Sequence, residues 1–132
     1  MLQINLMQHF LLQGTRGVEI NDYVKPLEDE KVIIKHHPNS FKDTELLNYL
    51  RLKEVSNLVI CGMMTHMCID ATVRAAKDYG FHCTLIADAC ATKELEFNGV
   101  RVSSSNVQTA FLSALNVTYA NILDTEDFLS RF

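Results

Sequence analysis

Residues 59–70 read VICGMMTHMCID, an apolar run that leads into the start of a helix. The run stops at Gly62, and the chain then turns through Thr65, a residue type that often caps helices. Cys68 would lie in the first helical turn, where free backbone N–H groups and the helix dipole favour an anion. The pattern predicts an activated nucleophile, because the thiolate is the reactive form of cysteine. The alternative is a buried, inert cysteine.

The composition is that of an ordinary globular protein. The chain has 132 residues, 48% of them hydrophobic and 21% charged, which predicts a single domain over residues 1–132. A net charge of -4 without a long basic run argues against nucleic-acid binding. No apolar run approaches the roughly 20 residues of a membrane span, and the N-terminus lacks a secretory pattern. We therefore expect a cytoplasmic protein that does not bind membranes.

The cysteines and histidines do not form a recognisable metal site. The four cysteines show neither a CxxC pair nor zinc-ligand spacing; they are Cys61, Cys68, Cys83 and Cys90. We expect free thiols in a reducing compartment. His36 and His37 are adjacent and would face opposite sides of a strand, so they are not expected to be ligands. We expect neither a metal ion nor a cofactor.

Apolar strands alternate with helices along the chain. Strands are predicted at residues 31–35, 57–61, 83–87 and 119–123, with a weaker signal at 2–7. Helices are predicted at 44–53 after Asp43 or Thr44 as cap, from Thr65 to Gly80, from a cap at 103–105, and after Thr125. This alternation predicts an α/β fold with a parallel sheet, right-handed crossovers and helices on both faces.

The apolar periodicity also predicts which side chains are buried. In the helices the inward-facing residues are Ile69, Val73 and Ala76, then Val107, Phe111, Ala114 and Leu115, and finally Phe128 and Leu129. The consecutive apolar residues of 57–61 and 83–87 are typical of strands covered on both faces.

Three reactive side chains lie where ligands bind in such sheets, at the carboxyl ends of the strands. Lys35 ends one predicted strand, Cys68 follows the next, and Asp88 ends the third. A lysine beside a thiol would stabilise its thiolate and later steady charge on a substrate. The alternative for Lys35 is a solvated position at the end of a strand.

Several segments together resemble the isochorismatase-like cysteine hydrolases, from about Phe10 to the C-terminus. They are FLLQGTRGVEI, VIIKHHPNSF and GMMTHMCIDATVRAAKDYGFHCTLIADACAT. The landmarks keep the order of that family: the GT-G-EI loop, a lysine followed by Ser40 and Phe41, the G-x-x-T-x-x-C turn, and the pair Asp88 and Ala89.

The resemblance implies a three-layer α/β/α sandwich with a mostly parallel sheet. It makes Cys68 the nucleophile of an acyl-transfer hydrolysis and Lys35 its catalytic neighbour. It also implies a cis peptide between Met63 and Met64, with the backbone N–H groups of Met64 and Cys68 forming an oxyanion hole. Since members acting on isochorismate lack the cysteine, its presence indicates an amide-like carbon–nitrogen substrate. Phe41, Met63 and Met64 would line the substrate pocket, or alternatively pack in the core.

One catalytic element of the family has no counterpart here. The aspartate of its N-terminal D-x-Q motif is not reproduced before Lys35, and Asn5 and Gln8 have the wrong spacing. The chain resembles a member without its first strand and helix, and the metal site of some relatives is missing as well. The gap would be filled by residues 2–7, by rearrangement, or by a second copy of the chain, so we expect a homo-oligomer.

Two functions therefore follow from the sequence. The first is a hydrolase that cleaves a small amide-like substrate through a thioester on Cys68. The second is a catalytically impaired or non-catalytic family remnant, acting as a scaffold or a small-ligand binder. A redox role is weaker, because no resolving cysteine lies at CxxC spacing.

Overall fold

The computed structural model describes residues 14–20, 22–116 and 118–131. The chain divides into two compact units, which consist of residues 1–32 and residues 33–132. In the first unit the described residues form two short 3-10 helices, Arg16–Val18 and Asp22–Val24. The second unit contains every candidate site residue. The single domain over residues 1–132 stays a prediction.

The second unit is built on a parallel sheet. Its strands are β1 (Asn57–Met63), β2 (His82–Ala91), β3 (Leu95–Phe97), β4 (Val100–Val102) and β5 (Asn121–Leu123). Its helices are α1 (Leu46–Leu52), α2 (Asp70–Asp78), α3 (Ser104–Asn116) and α4 (Thr125–Leu129), and a π-helical turn (Thr65–Ile69) precedes α2. The sheet has the order β1-β2-β5 with both pairings parallel, while β3 and β4 form an antiparallel hairpin. The predicted parallel sheet is confirmed.

The start of α3 and the end of α2 are as predicted, whereas the caps predicted for α1 and α4 are one residue off. Glu45 holds the cap position of α1 and Asp124 that of α4, so Thr125 is already helical. Thr44 Oγ1 accepts the N–H of Leu46 at 3.3 Å at the start of α1. Ser103 Oγ accepts the N–H of Asn106 at 3.3 Å at the start of α3. Beyond the end of α2, Gly80 has a φ of 93°, a left-handed conformation that glycine adopts without strain.

The hydrophobic core brings together β2 and the first three helices. Val73 and Ala76 of α2, Leu85 of β2 and Leu115 of α3 are fully buried. The complete cluster consists of Phe41, Leu50, Ile69, Val73, Ala76, Phe81, Cys83, Leu85 and Leu115. The predicted burial of Ile69, Val73 and Ala76 is confirmed.

The strand predicted at residues 31–35 is wrong. These residues have no strand assignment, and Val32 and Ile34 are exposed. A strand requires a hydrogen-bonded neighbour, and the described residues supply none to this apolar segment. The strand predicted at residues 2–7 lies outside the described residues.

The prediction that both faces of β1 are covered is also wrong. Residues along β1 alternate between exposed and half-buried, and Val59 and Met63 remain 54% and 61% exposed. Leu58 and Ile60, on the opposite face, pack against the core. The described part of the chain thus covers only one face of this strand.

Two predicted inward positions are exposed. Ala114 of α3 faces solvent, and Leu112 packs against the core instead. Leu129 of α4 is 61% exposed, whereas Phe128 is half-buried. Both differences occur at the margin of an apolar helix face, where a small rotation of the helix decides which side chain is covered.

The β3–β4 hairpin is not among the strands predicted from the sequence. Its turn is Asn98 and Gly99, which have φ angles of 50° and 76°. An Asn-Gly pair with positive φ at both residues is typical of a tight two-residue hairpin turn. The sequence signal was present, but the flanking strands have only three residues each.

Because its side chain is fully buried, Leu115 should contribute strongly to the stability of the fold. We expect Leu115→Ala to lower the free energy of unfolding by about 2–5 kcal/mol, because it leaves a cavity in the core. Leu52→Ala is the matched control, since Leu52 of α1 is 84% exposed and its loss should change stability by no more than about 0.5 kcal/mol. Urea unfolding followed by circular dichroism measures both, and equal losses would contradict this description of the core.

Candidate active site

Cys68 lies in the π-helical turn that follows β1. The peptide bond between Met63 and Met64 is cis, and the chain then enters the turn. The carbonyl of Met64 accepts the N–H groups of Met67 at 3.0 Å and Ile69 at 3.3 Å. Cys68 is partly buried. The predicted order of strand, sharp turn and helix-start cysteine is confirmed.

Thr65 does not cap this turn, which corrects the prediction. Met64 holds the cap position, and Thr65 is already helical and 0% exposed. The Thr65 hydroxyl donates to Gln108 Oε1 at 2.7 Å and lies 3.2 Å from the carbonyl oxygen of Ala91. A buried hydroxyl requires hydrogen-bond partners, and here β2 and α3 supply them.

Lys35 lies on a loop rather than at the end of a strand. Its ammonium group donates to the carbonyl oxygens of His37 at 2.8 Å and Pro38 at 3.0 Å. The side chain is therefore held against its own loop. Lysine has three N–H donors, so these two contacts within the described chain leave one for a thiolate or a substrate.

Thr72 attaches the Lys35 loop to the helix that carries Cys68. Thr72 Oγ1 accepts the N–H of Ser40 at 3.0 Å and lies 3.3 Å from the carbonyl oxygen of Pro38, the same oxygen that Lys35 binds. Thr72 follows Cys68 by four residues, which is about one turn or 6 Å along a helix axis. The structure therefore brings the loop of Lys35 to within one turn of Cys68.

The remaining predicted site residues have different environments. Phe41 is 6% exposed and contacts Phe81 and Tyr79 with ring centroids 6.0 and 5.2 Å apart. Its position supports the core-packing alternative over a place in a pocket wall. Met63 is 61% exposed at the end of β1, beside the turn. The oxyanion hole formed by the N–H groups of Met64 and Cys68 stays a prediction.

Asp88 lies within β2, not at its end. Its Oδ1 accepts the N–H of Thr125 at 2.9 Å and the hydroxyl of Thr125 at 2.8 Å. The hydrogen bond from the hydroxyl is the main cause that lowers the pKa of Asp88 below its ordinary value. Asp88 therefore connects β2 to the start of α4, and the sequence interpretation of Asp88 as a reactive group at a strand end is not supported.

Sequence reasoning did not single out His66, two residues before Cys68. Its Nδ1 lies 2.6 Å from Thr92 Oγ1, and its ring meets Phe111 edge-on with centroids 6.1 Å apart. Burial lowers the pKa of His66, and the charge of Lys93 lowers it further. The imidazole is therefore mainly neutral at pH 7. A histidine inside the quoted turn was the available sequence signal.

The other cysteines differ from Cys68 in their surroundings. All four are free thiols, as predicted. Burial raises the pKa of Cys83 and of Cys90, so both are poor nucleophiles at neutral pH. Cys61 is exposed. The chain thus carries its own reference thiols against which the reactivity of Cys68 is measured.

Metal ligation and membrane insertion have no candidate in the part of the chain that the structure describes. No three His, Cys, Asp or Glu side chains there are grouped to hold a metal ion. His37 instead pairs with Asp43, at 3.1 Å. None of the helices in the same ranges has the length and apolar character needed to cross a membrane.

A polar groove of about 380 Å³ lies at the other end of the sheet. Its lining includes Lys77, His82 and Tyr119, at the amino ends of β2 and β5. Because the strands are parallel, this groove lies away from the turn that carries Cys68. It contains none of the predicted site residues.

Nearly the whole length of this chain is similar to known proteins. The protein-family model of the isochorismatase domain matches residues 1–127. The isochorismatase family protein YddQ of Bacillus subtilis (strain 168) is 50% identical over 121 residues, covering 92% of this chain and 67% of YddQ. Ureidoacrylate amidohydrolase RutB of Acinetobacter baylyi (strain ATCC 33305 / BD413 / ADP1) is 28% identical, covering 98% of this chain and 49% of RutB.

A solved structure shows the same fold. The crystal structure of a candidate isochorismatase hydrolase from Oleispira antarctica superimposes with a TM-score of 0.88 and 46% identity, over 92% of this chain and 64% of that one. The predicted α/β fold with a mostly parallel central sheet is confirmed. The chain spans about two thirds of YddQ and of the Oleispira protein, and about half of RutB.

The contact between Asp88 and Thr125 should make stability depend on pH in the acid range. Hydrogen bonding from Thr125 lowers the pKa of Asp88 below its ordinary value. The contact therefore stabilises the folded state fully only well above the unfolded-state pKa, which is about 3.9 for a free aspartate. That stabilisation is lost as the pH falls through the lower folded-state pKa. We expect Asp88→Asn and Thr125→Val to flatten the fall of the unfolding free energy as the pH drops below about 5. Urea unfolding at a series of pH values measures the unfolding free energy of each variant. If both variants lose stability with falling pH as steeply as the wild type, the contact between Asp88 and Thr125 is not the cause.

Proposed function

Since this chain belongs to the isochorismatase family, we propose that it hydrolyses a small amide-like carbon–nitrogen substrate, with Cys68 as the nucleophile. The observation that carries the proposal is the attachment of the Lys35 loop to the helix one turn after Cys68, through Thr72. Sequence similarity to RutB, which is named an amidohydrolase, supports the class of bond that is cleaved.

The proposed reaction has two chemical steps. The Cys68 thiolate attacks the substrate carbonyl carbon, the C–N bond breaks, and the amine leaves after taking a proton from water. The acyl group is then a thioester on Cys68. Water attacks that carbonyl, the C–S bond breaks, and the thiolate is restored with a carboxylate as the second product. Of the two protons that this water releases, one neutralises the hydroxide left by the first step and the other passes to the released amine. The net change is the addition of one water molecule across the C–N bond.

Lys35 would supply the positive charge for both steps. Two of its N–H donors are held by the carbonyl oxygens of His37 and Pro38, which restricts the ammonium group to the side of its loop that faces Thr72. An ammonium group near the thiol favours the thiolate, and a charge fixed in advance needs little reorganisation during reaction. We assign Lys35 to thiolate stabilisation and to the negative charge that develops on the substrate.

The substrate carbonyl would lie over the π-helical turn. Its oxygen would be bound by the backbone N–H groups of Met64 and Cys68, an arrangement of the oxyanion-hole type. Among the predicted pocket-wall residues, Met63 is a better candidate than Phe41, because its side chain is exposed at the end of β1. Phe41, buried among Tyr79 and Phe81, would support the wall from behind.

We also propose that the protein is a cytoplasmic homo-oligomer. Free cysteines are typical of a reducing compartment. The exposed side chain of Val59 on one face of β1 offers apolar surface that a second copy would cover.

The first test is the reactivity of the thiols. We expect iodoacetamide at neutral pH to alkylate Cys68 at least about tenfold faster than exposed Cys61, because Cys68 lies in the turn that begins a helix and, in this proposal, is near the Lys35 ammonium group. Alkylation of Cys83 and Cys90 should be slower still, since burial raises their pKa values. Peptide mass spectrometry over time gives all four rates from one sample. Equal alkylation rates at Cys68 and Cys61 would contradict a mechanism that depends on an activated Cys68 thiol.

The second test is turnover of small amides. A panel of primary carboxamides and N-carbamoyl acids is screened for ammonia release, and we expect Cys68→Ser to lower kcat/KM by about 10³-fold or more. Lys35→Met should lower it by about 10²-fold, whereas Lys42→Met, at an exposed lysine of the same loop, should not change it. Fast alkylation of Cys68 without turnover of any panel member would instead favour the non-catalytic alternative.

A further inference from the structure

Gln108 of α3 connects three parts of the fold through one side chain. Its Oε1 accepts the hydroxyl of Thr65 at 2.7 Å, and its Nε2 donates to the carbonyl oxygens of Ala87 and Cys90, both at 3.2 Å. The orientation of the amide is determined by its neighbours, because the reversed amide would set its oxygen against two carbonyl oxygens. The side chain is partly buried, and Thr65 is fully buried.

The two carbonyl oxygens belong to an irregular part of β2. The register pairs Ile60 with Leu85 and then Gly62 with Cys90, so one intervening residue of β1 opposes four of β2. Backbone groups in such a bulge lose their partners in the strand ladder. The Gln108 amide donates to the carbonyl oxygen of Ala87 inside this bulge and to that of Cys90, where the pairing with β1 resumes. One side chain of α3 therefore holds both the bulge and its end.

The other end of the amide holds the turn that carries the nucleophile. Thr65 is the first residue of the π-helical turn and Cys68 the fourth. The Thr65 hydroxyl is bound between Gln108 and the carbonyl oxygen of Ala91, so the start of the turn is attached to both α3 and β2. A movement of Thr65 would carry Cys68 with it.

We propose that Gln108 is a positioning residue for Cys68, acting through the Thr65 hydroxyl. The proposal rests on the proposed function, because what it positions is the nucleophile of that reaction. Gln108 does not touch the reacting atoms. It holds the turn in one place relative to β2, and misplacement of a reacting group by about 1 Å can cost about 10²-fold in rate.

The experiment compares alkylation of Cys68 with alkylation of Cys61 inside the same molecule. Gln108→Leu and Thr65→Val remove the polar groups with little change of shape, and Thr65→Ser keeps the hydroxyl. Thr109→Ala is the matched control, at an exposed neighbour on α3. Iodoacetamide is the probe, and mass spectrometry gives the rate at each cysteine.

We expect Gln108→Leu and Thr65→Val each to lower the ratio of the Cys68 rate to the Cys61 rate by about tenfold, and Thr65→Ser to restore it. The double variant should be no lower than either single variant, since both remove the same hydrogen bond. Thr109→Ala should leave the ratio unchanged. If Gln108→Leu does not fold, the contrast between Thr65→Val and Thr65→Ser carries the test by itself.

The outcomes separate this proposal from the proposed function. If wild-type Cys68 is alkylated no faster than Cys61, the assignment of Cys68 as the nucleophile is wrong. A still lower ratio of the two rates in Gln108→Leu would nevertheless support the positioning of the turn by Gln108. An unchanged ratio in folded Gln108→Leu and Thr65→Val overturns the positioning role, however fast wild-type Cys68 reacts. A parallel change at every cysteine also overturns it, because that result indicates general loosening of the fold.

Discussion

The parallel pairing of β1 with β2 is the interaction on which the other features depend. Its regular part ends with Ile60 opposite Leu85, and its shifted part places Gly62 opposite Cys90. The regular part lies over the core, where Leu85 is fully buried. The shifted part lies beside the turn that carries Cys68. One pair of strands therefore connects the buried core to the candidate active site.

Three side-chain contacts between distant segments surround this pairing. Ser40 binds Thr72, Thr65 binds Gln108, and Asp88 binds Thr125, with separations of 32, 43 and 37 residues. Each such hydrogen bond contributes only about 1 kcal/mol to stability. Their larger effect is geometric, because each attaches a loop or helix end to a neighbouring element. None of the three involves the thiol of Cys68.

The sequence was most informative where the signal is local. The apolar run that ends at Gly62 predicted a strand followed by a sharp turn and a helix, because apolar periodicity and glycine act within a few positions. The cap at Ser103 was found for the same reason. The strand predicted at 31–35 failed because apolar residues alone do not form a strand without a neighbour. The missed hairpin at Asn98 and Gly99 had a clear turn signal but very short strands.

The sequence by itself determined the parallel α/β architecture, the buried face of α2 and the place of Cys68 at the start of a helix, since periodicity, caps and turns are properties of neighbouring residues. Only the tertiary structure decided that Thr65 binds Gln108 instead of capping its helix, that Asp88 is bound by Thr125, and that Phe41 lies in the core. Those outcomes depend on which segments the crossovers bring together. A buried polar group needs a hydrogen-bond partner, and that partner is often distant in the chain. No local sequence pattern specifies which residue it is.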